Sequence, residues 1–540
     1  MNFLLKKVQN KQLKNIKIIE SNYPIDNSYY NTFQCKLPLD FFTVVPVDDP
    51  VTSFVEIMKG INTSKYFNCP HRGNRGYDPN MMLQVTLFAF INGQYELRKM
   101  EELCRYDIRY MWLANDETPS FMAFQRFISE KLSMSIEDIF YDVVKRIIEL
   151  DDVDISKLYI DGTKIEANAR KNSFVWKKAI LGYQEKAFLK VTDLIIRLND
   201  DLNFKYDIKS RYSADDTGLI AEQLMELMIR QNIEIVYGKG KRRSLLQKYY
   251  DEFLEIYIKL MRYEESLNIC GDRNSYSKTD HDATMMNMKY DYYNHTGIFK
   301  PGYNLQIGVS DEYIMHMDIF SNPADTKTYI PFMKKYKERY GCYPKWPIGD
   351  AGYGSYDNLL FNVINGMELG LKYNYYAKKN TKEFKKKIYN QMNWEYDEKG
   401  FKVCPQGHSF NIEKEERWNT AGEYLQISRV FECGKCHDCK VKEKCTKAKE
   451  QRKIQINYAL NEMQEKVDEN LGTEEGKEMK KQRSIQSEGT FGIIKQNMDY
   501  VRLKRRGNIN VKTELLLIGI AYNIRKYHNK KMKKKEISIS

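Results

Sequence analysis

At Lys157 the hydrophobic period of this chain changes, and that change constrains its fold more than any other feature. Residues 78–150 carry apolar positions at helical spacing. The six residues KLYIDG (157–162) then alternate as a short strand should, and end in Asp161 and Gly162. The pattern returns at WPIGD (346–350), where a second short strand closes on Asp350. Strands separated by helical stretches predict an α/β fold with a mixed sheet, and functional groups in such sheets gather at strand ends. Two carboxylates on adjacent strands can share a pair of divalent ions. Two metals roughly 3.5–4 Å apart activate an attacking oxygen and stabilise a leaving one in phosphodiester transfer. Magnesium takes hard oxygen ligands and keeps several waters, so few protein carboxylates are needed. The plainer account of any one strand-end acid is a loop cap or a surface pair.

The chain has 540 residues, more than one core normally holds, so several domains are expected. Residues 1–36 are polar and weakly patterned and read as an N-terminal arm. Residues 37–150 read as a helical, helix-turn-helix-like domain, with a helix opening at Asp78-Pro79 and stopping at Asn92-Gly93. A helical bundle without a DNA role fits the same pattern. Residues 151–377 read as the first part of an α/β core, interrupted by a helical insertion at 176–269. Residues 378–470 form a cysteine-rich insertion, 471–528 the final part of the core, and 529–540 a basic tail. No apolar run approaches the ~20 residues of a membrane span, and the N-terminus lacks the apolar stretch of a secretory signal. A cytoplasmic protein is expected.

Net charge is +13, with local excess at residues 239–243, 502–506 and 525–535. Such runs suit a polyanion, because each phosphate contact releases counterions; singly they read as solvated surface. The first precedes no obvious chemistry, but the second follows a helix at 484–497 that holds Glu488 and Lys495. Seven residues apart on a helix, these two share a face, which suits either a metal ligand beside a phosphate contact or a surface pair. Arg483 stands about 140° from Glu488 around an ideal α-helix, which would turn it away.

Ten cysteines occur, four of them close together at Cys433, Cys436, Cys439 and Cys445. Cys404, His408 and His437 could add ligands. The spacing matches neither a two-knuckle zinc ribbon nor the bacterial ferredoxin run. Zinc, reduced thiols without a stable metal, and an iron–sulfur cluster all remain open.

In these residues the chain resembles the DDE transposases of bacterial insertion sequences, most closely the insertion sequence 1182 family. The resemblance spans roughly residues 38–528. It rests on residues 78–131, on YIDGTKIEAN (159–168), on KPGYNLQ (300–306) with GDAGYG (349–354), and on residues 483–507. It implies a ribonuclease-H-like catalytic core, with Asp161, Asp350 and Glu488 as ligands of two magnesium or manganese ions. It implies cleavage of element ends and joining of their 3′-hydroxyls to target DNA. Lys495, Arg483, Arg502, Lys504, Arg505 and Arg506 would contact DNA, and the protein would act as a homodimer on double-stranded DNA, nucleoid-associated when bound. A catalytically inactive DNA-binding protein and a nuclease that cuts without joining are the alternatives. One departure stands out. Relatives often place Tyr and Arg at set intervals before the Glu, with Arg four residues ahead; here that place is Ser484, Arg483 is one residue off, and Lys481 stands where the Tyr would be.

Overall fold

The computed structural model describes residues 45–67, 76–238, 240–288 and 298–539. The expected N-terminal arm at 1–36 lies outside them, as does Lys239 of the first basic run. Of a first compact unit, Met1–Asp49, only the turn at 45–49 is described; all elements below belong to the second, Pro50–Ser540.

Strand β1 (Lys157–Glu166) is the axis of a six-stranded mixed sheet. Two short strands, β2 (Phe174–Trp176) and β3 (Ser275–Ser277), and then β4 (Thr284–Met288) lead to the long strand β5 (Ile298–Ser310). β5 pairs antiparallel with β1 over eight residues, from Tyr159↔Val309 to Glu166↔Gly302. On its other edge β5 carries β4 at one end and β6 (Tyr313–Phe320) at the other. The β5–β6 turn is made by Asp311 and Glu312, both at positive φ, as a two-residue hairpin requires. On the far side of β1, β7 (Trp346–Gly349) runs parallel to it, and β8 (Gly370–Leu371) runs parallel to β7. Parallel neighbours need a crossover, and the helix Tyr356–Ile364 lies between β7 and β8 in the chain.

The helix Pro79–Ile91 is buried on nearly every side, so it sits inside rather than on a surface. Asp78 caps it by accepting the N–H of Asn80 at 2.8 Å, and Pro79 takes the first turn, where a missing N–H is no loss. The long C-terminal helix Asn508–Ile539 packs on it, on Ser133–Asp151 and on β6. Asn523 of that helix clasps the outer edge of β6: its Oδ1 accepts the N–H of Ile314 at 2.8 Å and its Nδ2 donates to the Ile314 carbonyl at 2.8 Å. An edge strand's exposed backbone is thereby satisfied by a side chain instead of by another strand.

Two further modules leave the sheet. Helices Lys177–Leu202, Ala214–Arg230 and Leu245–Cys270 bury their own core around Leu194, Leu224 and Phe253. Their neck is the β2–β3 antiparallel pair, with Phe174 opposite Ser277. Farther on, β9 (Ile412–Asn419), β10 (Gln426–Glu432) and β11 (Lys453–Ile456) form a three-stranded antiparallel sheet. It packs on Trp394, Phe410 and the thiol of Cys433. Among the described residues no helix is long and apolar enough to cross a membrane.

Two elements differ from the sequence reading. The strand expected at 371–377 is only Gly370–Leu371. The strand expected to stop at Asp161-Gly162 continues to Glu166, because β5 goes on pairing with β1 past the point where β7 ends.

Replacing Asn523 by Leu leaves two buried backbone groups of Ile314 unpaired. At about 1–3 kcal/mol for each orphaned group, the expected loss is about 2–6 kcal/mol, read as a lowered urea midpoint. An unchanged midpoint would show that β6 does not need this cover.

Candidate functional site

Parallel pairing decides where the first two acids meet. Tyr159 of β1 is opposite Ile348 of β7, and Asp161 and Asp350 each lie two residues farther on. Both carboxylates therefore stand at the same level on the same side. Asp350 follows the last residue of β7, as expected; Asp161 lies inside β1 rather than at its end. Asp161 Oδ1 accepts the N–H of Gly162 at 2.9 Å, and Asp350 Oδ1 accepts the N–H of Gly352 at 2.8 Å. A side chain at position 162 would collide with Gln306 and touch Asp325, so glycine is required there by packing.

Glu488 arrives by an irregular helix. The α-helix Glu474–Arg483 opens into a π-turn, Ser484–Glu488, then a short α-turn and a second π-turn, Ile493–Asn497. In an α-helix Arg483 and Glu488 would diverge by about 140°. The wider π-turn bonds residue i to i+5, so residues five apart stack on one face. Arg483 and Glu488 are five apart, and the expected divergence disappears. Single-turn π-bulges of this kind are frequent at functional sites.

The result is a guanidinium set among three carboxylates. Arg483 Nη2 lies 2.9 Å from Asp161 and 3.7 Å from Asp350, and Nη1 lies 3.5 Å from Glu488. The arginine side chain is 10% exposed and that of Asp161 12%, while Asp350 and Glu488 reach solvent at 41% and 64%. Buried at the root, the cluster is open on one side. Arg483 Nε is buried without a hydrogen-bond partner among the described residues.

A fourth acid escaped the sequence reading. Asp325 Oδ1 accepts Asn304 Nδ2 at 2.7 Å and Gln306 Nε2 at 3.0 Å, directly beneath Gly162. Tyr353 donates to Gln306 Oε1 at 2.5 Å. Burial holds the Tyr353 phenol well above its usual range, and the charges of Asp325, Asp161 and Asp350 add to this. The local sequence around Asp325 is a plain turn; only the fold brings it under β1. Lys372 is another late arrival. Burial lowers its ammonium, with Arg483 and Lys480 adding repulsion, while Asp350 and Glu488 oppose the shift.

The residues expected to contact DNA part ways. Lys495 donates to Thr163 Oγ1 of β1 at 2.6 Å. Arg502 and Arg506 reach the end of β1, where Arg506 Nε donates to the Asn168 carbonyl at 2.7 Å. Lys504 lies 5.1 Å over the Tyr95 ring. Arg505 turns inward toward Ser129, and burial lowers its pKa. The turn itself is held by Glu514, whose two oxygens accept the N–H groups of Lys504 and Arg505, each at 2.8 Å.

The cysteines do gather. Cys404, Cys433, Cys436, Cys439 and Cys445, with His408, line a small cavity of about 20 Å³. His437 is not part of that lining. Among the described residues no three of His, Cys, Asp and Glu converge as a metal-binding group. The thiols have other partners: Cys433 packs with Phe410 and Phe431, and Cys445 Sγ accepts Arg452 Nη1 at 2.8 Å. Burial pushes the Cys433 thiol up to about 11. At the acid site each of the three carboxylates lies against the Arg483 guanidinium.

Comparison with known families gives two matches. The family described as "Transposase DDE domain" matches residues 403–528, and "Transposase domain (DUF772)" matches residues 44–130. The first segment contains Glu488, Lys495 and the basic turn; Asp161 and Asp350 lie outside both. No curated protein and no solved structure matches the chain.

Burial of Glu514 raises its carboxyl to about 7 from an ordinary 4.5, and its two backbone hydrogen bonds oppose that shift. The folded state then holds this proton more tightly than the unfolded chain. Stability from this group is complete below about pH 4.5 and is lost as pH rises through about 7. The urea midpoint of the wild type should therefore fall more steeply between about pH 5 and 8 than that of Glu514→Gln. Parallel profiles would contradict a protonated Glu514.

Proposed function

From the premise that these two matched segments give the chain the architecture of a DDE transposase of an insertion-sequence family, that of insertion sequence 1182-type proteins, we propose that it cleaves element ends and joins their 3′-hydroxyls to target DNA at the Asp161, Asp350 and Glu488 site. One observation carries this reading. Three carboxylates from three separate elements contact a single cation.

A ribonuclease-H-like core is supported by a sheet whose first strand is central, with an antiparallel meander on one side and parallel strands on the other. The donor set fits magnesium or manganese, since hard carboxylate oxygens surround a position that already carries positive charge. Asp161, Asp350 and Glu488 would hold the ions. When bound, a pair of such ions activates the attacking oxygen and stabilises the leaving one. The chain's own contribution is positioning. Arg483 offsets part of the charge of the three carboxylates in the resting site, and its incomplete hydrogen bonding makes it a cation that can yield. Lys495 reaches β1 at Thr163 and Arg502 reaches it at Glu166, where they would hold backbone phosphates of the bound duplex at two separate points. The N-terminal helices would recognise the terminal repeats, and a homodimer would hold paired ends.

Substituting Asp350→Ala should abolish strand cleavage while DNA binding survives in a mobility-shift assay; cleavage at wild-type rate would sink the site. Supplying pre-cut ends with free 3′-hydroxyls, magnesium and a target plasmid separates transposase from nuclease, because the latter yields no joined product. Arg483→Ala should lower stability by about 1–3 kcal/mol, less than for a fully buried pair because Asp350 and Glu488 reach solvent. Manganese should raise the melting temperature of that variant more than that of the wild type. Equal shifts would mean that guanidinium and metal do not compete for the carboxylates.

A further inference from the structure

We propose that a cleft at the far end of β1 is a built anchor for DNA backbone phosphates, separate from the acid site; this rests on the transposase reading above. The cleft has a volume of about 670 Å³. Arg170, Lys171, Lys278, Arg502 and Arg506 line it against one carboxylate, Glu166. That carboxylate is already engaged, with Lys300 at 2.6 Å and Arg502 at 3.6 Å. The remaining cations therefore face one another with little to balance them. Among the described residues the side chains of Arg170, Lys171 and Lys278 make no ion pair. Clustered like charges repel unless an anion lies between them, so this arrangement is complementary to a polyanion.

The site is also set in place before any ligand arrives. Arg506 is fixed on Asn168 through the carbonyl at 2.7 Å and Oδ1 at 3.5 Å, and Arg502 donates to the Ala169 carbonyl at 3.4 Å. Asn168 in turn donates to the Lys504 carbonyl at 2.7 Å. Holding guanidinium groups in position removes much of the ordering cost of binding. Glu166 and Arg502 form a parallel bridge, and the N–H of Leu503 bonds the Glu166 carbonyl at 2.9 Å. The basic turn is thus stitched onto β1. Glu166 is five residues along that strand from Asp161, about 17 Å at ~3.3 Å per residue, so one duplex can reach both places. No aromatic residue lines the cleft, so nothing there would stack on a base. Phosphates, and not nucleotide identity, are what it would recognise.

The test uses the full-length protein and a random-sequence duplex of about 30 base pairs, with affinity measured from about 50 to 200 mM salt. The triple variant Arg170→Gln, Lys171→Gln, Lys278→Gln should reduce the slope of log affinity against log salt by about 2 to 3, close to 0.9 per lost phosphate contact. A control triple on an exposed helix, Lys178→Gln, Lys186→Gln, Lys190→Gln, should leave the slope unchanged. An unchanged slope in the first variant, or an equal fall in the control, would overturn the proposal. If the first variant fails to fold, Arg170→Lys with Lys171→Arg should keep the wild-type slope, and a loss there would also overturn it. Inorganic phosphate separates the sources of the anion: saturation of the cleft by free phosphate without loss of duplex affinity would make it a free-anion site and reject the DNA anchor. A wild type that binds no duplex at any salt would instead remove the transposase reading beneath it.

Discussion

Strand β1 is hydrogen-bonded along both edges, and most of the functional geometry depends on that. Its parallel pairing with β7 brings Asp350 level with Asp161. Its longer antiparallel pairing with β5 keeps it straight beyond Asp161, so that Thr163 meets Lys495 and Glu166 meets the basic turn. A strand free on one side could bend or slip, and a slip of one residue would send Asp161 to the opposite face. Double pairing makes the register of this single element the reference for groups that come from far along the chain.

Charge balance at the site is local and compact. Two acids placed side by side by a sheet, with a third brought by a helix, would repel strongly in a partly buried setting. Arg483 relieves that repulsion from the same helix that supplies Glu488. The π-turn between them is what allows it, because one extra residue per turn rotates Arg483 onto the face of Glu488. The displaced arginine of the sequence and the irregular helix of the structure are thus one fact seen twice: the residue is out of place for an α-helix and in place for the helix that forms.

The additional modules leave this geometry undisturbed because of how they attach. The three-helix module departs and returns through the paired strands β2 and β3, and its core is its own. The β9–β10–β11 module likewise packs internally, around Trp394, Phe431 and Cys433. Neither contributes a strand to the main sheet.

Local chemistry made several features readable in the residues alone. The change of period at Lys157, the acid closing β7 and the Asp78-Pro79 helix start each depend on neighbouring side chains and backbone preference. The resemblance to insertion-sequence transposases, read from four motifs, agrees with the two matched families. Other features were decided by contacts between residues distant in sequence. The extension of β1 to Glu166 needed β5, which lies more than a hundred residues on. Asp325 reaches the site only because the β5–β6 meander folds it beneath Gly162. The cysteines are close in sequence, but that Cys433 packs on aromatic rings and Cys445 meets Arg452 is set by the fold. The motif stretches singled out Asp161, Asp350 and Glu488 as candidates; their convergence on one guanidinium belongs to the tertiary structure, because no local pattern reports what lies across a sheet.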